Sequence, residues 1–218
     1  MLSKGLGRVL GRANELIHNR AAQHLPELVG ALLDDALARW ASNGWHTFNH
    51  LESNCSGQLY RWLLEARRAD RRFYTLEVVL ENVLLTPGML AGTASVTTAK
   101  RPDIRIHVRE TGVLLEAKRL TDTAAHCRAY VDDGMVRFVN ERYGAAEDWG
   151  MMIGYVQESS TAGIEPRING FVTAHALMGA GHELIPETTS THSERLRSSH
   201  PRASGAPIRL DHVWVVLH

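Results

Sequence analysis

Lysine is scarce in this 218-residue chain: Lys4, Lys100 and Lys118 are the only three, and arginine carries the rest of the positive charge. Cysteine is scarcer still, with Cys55 and Cys127 alone. Two isolated cysteines without metal-ligand spacing exclude a disulfide-stapled scaffold and a thiolate zinc site, and free thiols in a reducing cytoplasm are expected. Net charge is also missing, since 24 basic side chains face 24 acidic ones. Any attraction to nucleic acid must then come from local clustering. No apolar run is long enough to span a bilayer. In the stretch Met1 to Arg12, Arg8 and Arg12 interrupt the apolar residues, so no signal-peptide core forms. A cytoplasmic protein without a membrane partner is expected.

Hydrophobic residues make up 44% of the chain and charged residues 22%. That balance is ordinary for a folded domain and excludes wholesale disorder. Residues 13 to 41 are predicted helical, because Leu25, Leu28, Val29, Leu32, Leu33 and Leu37 recur at helical spacing. Pro26 suits a first turn and Asn43-Gly44 a stop. A second helix is predicted over about 48 to 67, with Leu51, Cys55, Leu59, Trp62 and Leu63 as its stripe and Glu52 near its start. After the polar connection Ala66 to Arg72, the stretch Phe73 to Leu85 reads as a strand, ended by Thr86-Pro87-Gly88. A polar connection of small residues, 91 to 99, leads to a hairpin. Thr121 to Arg142 is again helical, with Tyr130, Val136, Phe138 and Val139 as packing positions. Trp149 to Val156 is an apolar strand. Residues 159 to 169 read as a loop, 171 to 184 are ambiguous, and 186 to 207 form a polar segment before a last strand at Asp211 to Leu217. This order implies a mixed sheet with helices packed on it, a single α/β domain over 1–218.

The hairpin runs from Arg101 to Lys118: two apolar-rich runs joined by a polar turn containing Gly112. Residues two apart in a strand share a face. Glu116 and Lys118 therefore point together with Leu114, and Leu115 and Ala117 face away. Asp103, Arg105 and His107 share one face of the first strand. A turn centred on Glu110-Thr111 sets Asp103 opposite Lys118, so that Asp103, Glu116 and Lys118 converge; a one-residue slip separates them. Such a grouping fits phosphodiester hydrolysis. Asp103 and Glu116 suffice as carboxylate ligands for Mg²⁺ (or Mn²⁺), and the Ala117 carbonyl adds a further ligand. Lys118 orients the attacking water or stabilises developing negative charge. A solvated charge in this arginine-rich chain would be arginine, so a lysine between Ala117 and Arg119 points to a specific need.

Pro102-Asp103 followed by Glu116-Ala117-Lys118 on consecutive strands resembles the PD-(D/E)xK nuclease superfamily, which has the restriction-endonuclease-like fold. The resemblance extends to the element order from about 48 to 157: a helix carrying an acid, three strands, a helix and a fourth strand. It implies a restriction-endonuclease-like core over 46–157, flanked by a helical N-terminal extension (1–45) and a C-terminal addition with a final strand (158–218). It also implies that Glu52, or alternatively Glu81 on the preceding strand, completes the acidic metal cluster. A nuclease acting on DNA rather than RNA follows, in bacterial defence, restriction or DNA repair, as a homodimer or a component of a larger defence complex. The rival reading is a non-catalytic nucleic-acid-binding or assembly subunit that retains the fold. A third is hydrolysis of another phosphodiester, an RNA or a nucleotide signal.

Other signals are weaker. Gly5-Leu6-Gly7-Arg8-Val9-Leu10-Gly11 departs from the dinucleotide fingerprint, and no strand precedes it. His46 and His50 are four apart, but Thr47 stands where a helix-borne zinc protease needs glutamate. His175 and His182, or His192 and His200, lack a third ligand. His107 shares Asp103's face, which suits a structural role or a phosphate contact. Two arginine clusters, Arg67, Arg68, Arg71 and Arg72, then Arg195, Arg197, Arg202 and Arg209, are read equally as phosphate contacts or as solvated charge.

Overall fold

A computed structural model describes residues 15–81, 87, 93, 101–187 and 190–217. The glycine-rich stretch at 5–11 and, but for Pro87 and Thr93, the predicted stop at 86–88 and connection at 91–99 lie outside the described residues. Helix α1 covers 15–23 and α2 Leu25–Ser42, so the long predicted helix is divided at His24, just before Pro26. Asn43 caps α2 and Gly44 follows at φ 63°, as the stop signal requires. Helix α3 is Glu52–Ala69, and a 3₁₀ turn follows at Arg71–Phe73. Strands β1 (Glu77–Leu80), β2 (Ile104–Val108) and β3 (Thr111–Leu120) form an antiparallel meander. A helical run, α4, comprises Ala124–Ala129, a π-helical stretch Tyr130–Met135 and Val136–Val139. Then come β4 (Trp149–Val156), α5 (Ile164–Ala174), β5 (Ile185–Pro186), β6 (Glu194–His200) and β7 (Ile208–Val216).

One seven-stranded mixed sheet, ordered β1-β2-β3-β4-β7-β6-β5, separates two apolar layers. The α/β class is therefore as expected. On one face α2 and α3 pack against Ile104, Ile106, Val113, Leu115, Ile153 and Val213. Trp40, Leu33 and Leu37 of α2 are fully buried there, so α2 is part of the hydrophobic core. On the other face α4 and α5 cover Leu114, Leu120, Met152, Leu210 and Trp214. The central strand β4 is buried along its whole length, which is why its sequence is continuously apolar. Among the described residues no helix is long and apolar enough to cross a membrane.

Four expectations need correction. The predicted strand from Phe73 begins only at Glu77; Phe73 ends the 3₁₀ turn, whose amide at Arg72 is taken by the Asp70 carboxylate. The predicted loop 159–169 holds the first half of α5. Ile164, Ile168 and Val172 form a buried stripe of that helix at four-residue spacing, disguised in the sequence by Pro166 and Gly170. The polar segment 186–207 contains β6, whose inward side chains are Leu196, Ser198 and His200. Its alternation was invisible because two of the three buried positions are polar. Leu51 is also no part of the α3 stripe: it is the N-cap and is exposed.

Candidate active site

The β2–β3 hairpin turns at Arg109-Glu110, with Arg109 at φ 53°, and Val108 pairs Thr111. The register is thus two residues from the expected one: Ile104 faces Leu115, and by continuation Asp103 faces Glu116, not Lys118. A two-residue shift preserves the face of every side chain, so the convergence survives where a one-residue slip would have destroyed it. Gly112 lies inside β3 opposite His107, where a Cβ would come within 2.6 Å of the His107 Cβ; its need is close approach, not a turn.

Strand β2 stops at Ile104, while β3 runs on to Leu120. The amides of Ala117 and Arg119, both on the side β2 has vacated, need other acceptors. Two carboxylates supply them. Ala117 N–H donates to Asp103 Oδ2 (2.8 Å) and Arg119 N–H to Glu52 Oε2 (3.1 Å). Glu52 is the first residue of α3, where a carboxylate also suits the helix dipole. The sheet edge therefore recruits the acids that sequence reasoning selected.

The Lys118 ammonium sits among them. It donates to Glu116 Oε1 (2.8 Å), the Ala117 carbonyl (2.9 Å) and Glu52 Oε1 (3.0 Å), which spends all three of its protons. Its stem passes Gly134 of the α4 π-helical stretch, where a Cβ would press to 2.5 Å from Met152 and 3.4 Å from the lysine. A π-helical stretch and a glycine together let the helix approach the site this closely. Arg137, also on α4, donates to Glu116 Oε1 (2.6 Å) and to the Tyr143 hydroxyl (3.2 Å). Neither Arg137 nor Tyr143 was foreseen, because nothing local in the sequence ties a helix position 21 residues downstream to Glu116.

Burial sets the electrostatics. Desolvation pushes the Glu116 carboxyl up to about 7, against the pull of Lys118 and Arg137. Desolvation raises Asp103 as well, opposed by the Ala117 hydrogen bond. For Lys118 burial favours the neutral form, but Glu116 and Glu52 outweigh it and hold the ammonium charged. One atom stands apart: Glu116 Oε2 is buried and, among the described residues, has no hydrogen-bond partner.

Glu116, Lys118 and Glu52 are thus in direct contact, with the Ala117 carbonyl, and Asp103 joins them through the Ala117 amide. Glu81 is not brought in by its side chain. It is exposed at the end of β1 with φ 47°, and its contribution is a backbone N–H to the Asp103 carbonyl (2.7 Å). His107 bonds the Arg109 carbonyl (2.8 Å) across the turn, and its role there is structural. The arginine clusters are largely committed within the protein. Arg67 donates to the Leu76 and Tyr74 carbonyls, and Arg72 pairs with Asp70. Arg195 pairs with Asp34, and Arg197 and Arg209 with Asp211. Arg202 is buried against the Gly144 and Ala206 carbonyls. The second cluster also lies on β6 and β7 as much as in connections. Cys55 and Cys127 are free, buried thiols, each pushed up to about 11 by desolvation.

Two clefts of about 650 and 700 Å³ lie elsewhere, one at the N-terminal ends of β3, β4 and β7 and one between α4 and α5. Among the described residues no group of three or more His, Cys, Asp or Glu side chains is arranged to hold a metal ion. The ammonium of Lys118 occupies the space between Glu116 and Glu52. Comparison with protein-family models, with curated proteins and with solved structures finds no match for this chain.

Proposed function

We propose that the protein is a metal-dependent nuclease of the PD-(D/E)xK kind, hydrolysing phosphodiester bonds in nucleic acid, DNA ahead of RNA. One observation carries the reading: an all-oxygen nest of Glu116, Glu52 and the Ala117 carbonyl, beside Asp103, closes around the Lys118 ammonium, and among the described residues the buried Glu116 Oε2 has no partner. Hard oxygen donors of this kind suit Mg²⁺ or Mn²⁺. Helix α3, the β1–β2–β3 meander, α4 and the parallel β4 follow the order of a restriction-endonuclease-like core, which supports the same reading.

Asp103, Glu116, Glu52 and the Ala117 carbonyl are the groups that would hold the ion. A bound divalent ion supplies charge neutralisation at the phosphate and a more acidic water. Arg137 fixes Glu116 by its Oε1. Lys118 of β3, beside both glutamates, would turn its ammonium to the attacking water and to the charge that develops on the phosphate oxygens only when the oxygens it now binds are given over to the ion. Asp103 and Glu52 hold the end of β3 that β2 leaves unpaired, so the groups are positioned before substrate arrives.

Incubation with plasmid DNA and Mg²⁺ or Mn²⁺ tests this. Cleavage by the wild type, lost in Asp103→Ala and Lys118→Ala, is expected; equal cleavage by all three removes the assigned site. The full commitment of Lys118 to protein oxygens favours one rival, a non-catalytic subunit whose ion cluster only holds the edge of the sheet. Calorimetric titration with Mn²⁺ separates the two, because a purely structural cluster takes up no ion.

A further inference from the structure

The loop between α2 and α3 has its polarity inverted. Over 46–50, His46, Phe48 and His50 are exposed, whereas Thr47 and Asn49 are turned partly inward. Phe48 is 87% exposed and the following apolar residue, Leu51, 56%. Thr47 Oγ1 donates to the Asn49 carbonyl (2.5 Å), and Asn49 Oδ1 accepts from Leu51 N–H (2.8 Å) and Asn54 Nδ2 (2.7 Å). Both ends are anchored from outside. The buried Trp40 Nε1 donates to the His46 carbonyl (3.0 Å), and Gln157, one residue past β4, donates to the His50 carbonyl (2.6 Å). The loop is thus held in shape by its polar side chains while it displays an alternating row of rings to solvent. Folding alone gives no reason to tether a phenylalanine outward.

The row ends at the candidate site. Leu51 caps α3 and Glu52, the next residue, binds Lys118. Phe48 is four residues from Glu52, so their Cα atoms are within about 14 Å of each other. That is the span of a nucleotide or two from the phosphate to be cut. The loop also lies at the carboxyl end of β4, where open α/β sheets bind ligands. The exposed rings are separated by polar residues and do not form the contiguous apolar patch that a protein partner requires. Phenylalanine and histidine rings offer π-faces to bases that have left their stack.

We infer that this loop is a stacking platform for unpaired nucleobases, and that the substrate is single-stranded or locally unpaired nucleic acid. This rests on the phosphodiesterase reading above. A base inside a duplex is already stacked on its neighbours and has no face to offer Phe48.

The test is binding of a labelled single-stranded phosphorothioate oligonucleotide and of its duplex, in Mg²⁺, by wild type, Phe48→Ala and Phe48→Trp. Phe48 is exposed, so both variants are expected to fold. The expected result is a roughly ten-fold loss of single-strand affinity in Phe48→Ala. Phe48→Trp retains affinity and its emission is quenched on binding, while the Mg²⁺-induced rise in melting temperature is the same in all three. Equal single-strand affinity in wild type and Phe48→Ala, with the Mg²⁺ effect intact, overturns the platform and leaves the nuclease reading standing. A change in self-association instead of nucleic-acid affinity overturns it in favour of a contact between copies. Absence of both nucleic-acid binding and the Mg²⁺ effect overturns the nuclease reading itself and the platform with it.

Discussion

The sheet carries two buried polar clusters on the face covered by α4, and they solve the cost of burial in opposite ways. At the end of β3 the cluster is ionic: Glu116, Lys118, Glu52 and Arg137 compensate one another's charge. Between β6, β7 and α4 the cluster is neutral. Trp214 Nε1 donates to the Tyr130 hydroxyl (3.1 Å), which in turn donates to His212 Nδ1 (2.9 Å). His212 then donates through Nε2 to Ser198 (2.8 Å), and Ser198 to His200 Nε2 (2.7 Å). Indole can only donate, and this direction of the chain is the one that pairs both hydroxyl protons. Desolvation keeps both histidines uncharged, with His200 down to about 4. Each cluster leaves one buried atom without a hydrogen-bond partner among the described residues: Glu116 Oε2 in the ionic one and His200 Nδ1 in the neutral one. The same α4 π-helical stretch serves both, Gly134 beside Lys118 and Tyr130 within the histidine chain. The neutral chain joins its groups by hydrogen bonds alone, while the ionic cluster closes around the Lys118 ammonium. Burial alone therefore does not mark a functional site; the two clusters differ in charge, not in burial.

The largest expected effect separates the clusters by function. Lys118→Ala should lower plasmid cleavage by about a hundred-fold or more, the scale of losing one preorganised electrostatic group, whereas Tyr130→Phe should leave cleavage near wild type. Comparable losses in the two variants would erase the distinction drawn between them.

Stability should sort them the other way. Tyr130→Phe strips the Trp214 donor and the His212 acceptor of their partner, a cost of about 3 kcal/mol, measurable by urea unfolding. A loss below about 1 kcal/mol would show that water or rearrangement replaces the hydroxyl.

Their pH responses should oppose each other. The folded pKa of His200 is depressed to about 4. Its unfolded form takes up protons first, so this contribution is present above about pH 6.5 and disappears as pH falls toward 4. Its size is about 3 kcal/mol. The folded pKa of Glu116 is raised to about 7, so it costs stability as pH rises from about 4.5 to 7. In EDTA, Glu116→Gln should therefore steepen the gain in unfolding free energy between pH 4.5 and 7. An unchanged slope would mean that Glu116 titrates normally in the folded protein.

The smallest effect concerns the lysine as a competitor for the cation seat. Lys118→Met should bind Mn²⁺ more tightly, by roughly ten-fold, because one nearby positive charge is gone. Calorimetry that shows weaker binding would place the ammonium as a support of the metal site, not an occupant of it.

The strand faces were legible in the sequence because alternation is local. The pattern Val113-Leu114-Leu115-Glu116-Ala117-Lys118 placed Glu116 and Lys118 on one side whatever the register, and the two-residue error in the turn left that intact. The apolar runs of α2 and β4 were readable for the same reason, since their burial is nearly complete. Strand β6 was not readable, because its inward Ser198 and His200 are satisfied only by His212 of another strand. Arg137, Tyr143 and the π-helical stretch at Tyr130 were not readable either.

The sequence by itself determined the α/β pattern, the side on which each charged residue of the hairpin stands, and the rarity that singles out Lys118. Only the tertiary structure decided that β2 ends short of β3, which frees the amides that draw Asp103 and Glu52 to the edge. It alone decided that Arg137 reaches Glu116 and that one carboxylate oxygen is left buried, without a partner among the described residues. Side-chain alternation is dictated by neighbours along the chain. Pairing of charges depends on elements far apart in it, which only packing brings within hydrogen-bonding distance.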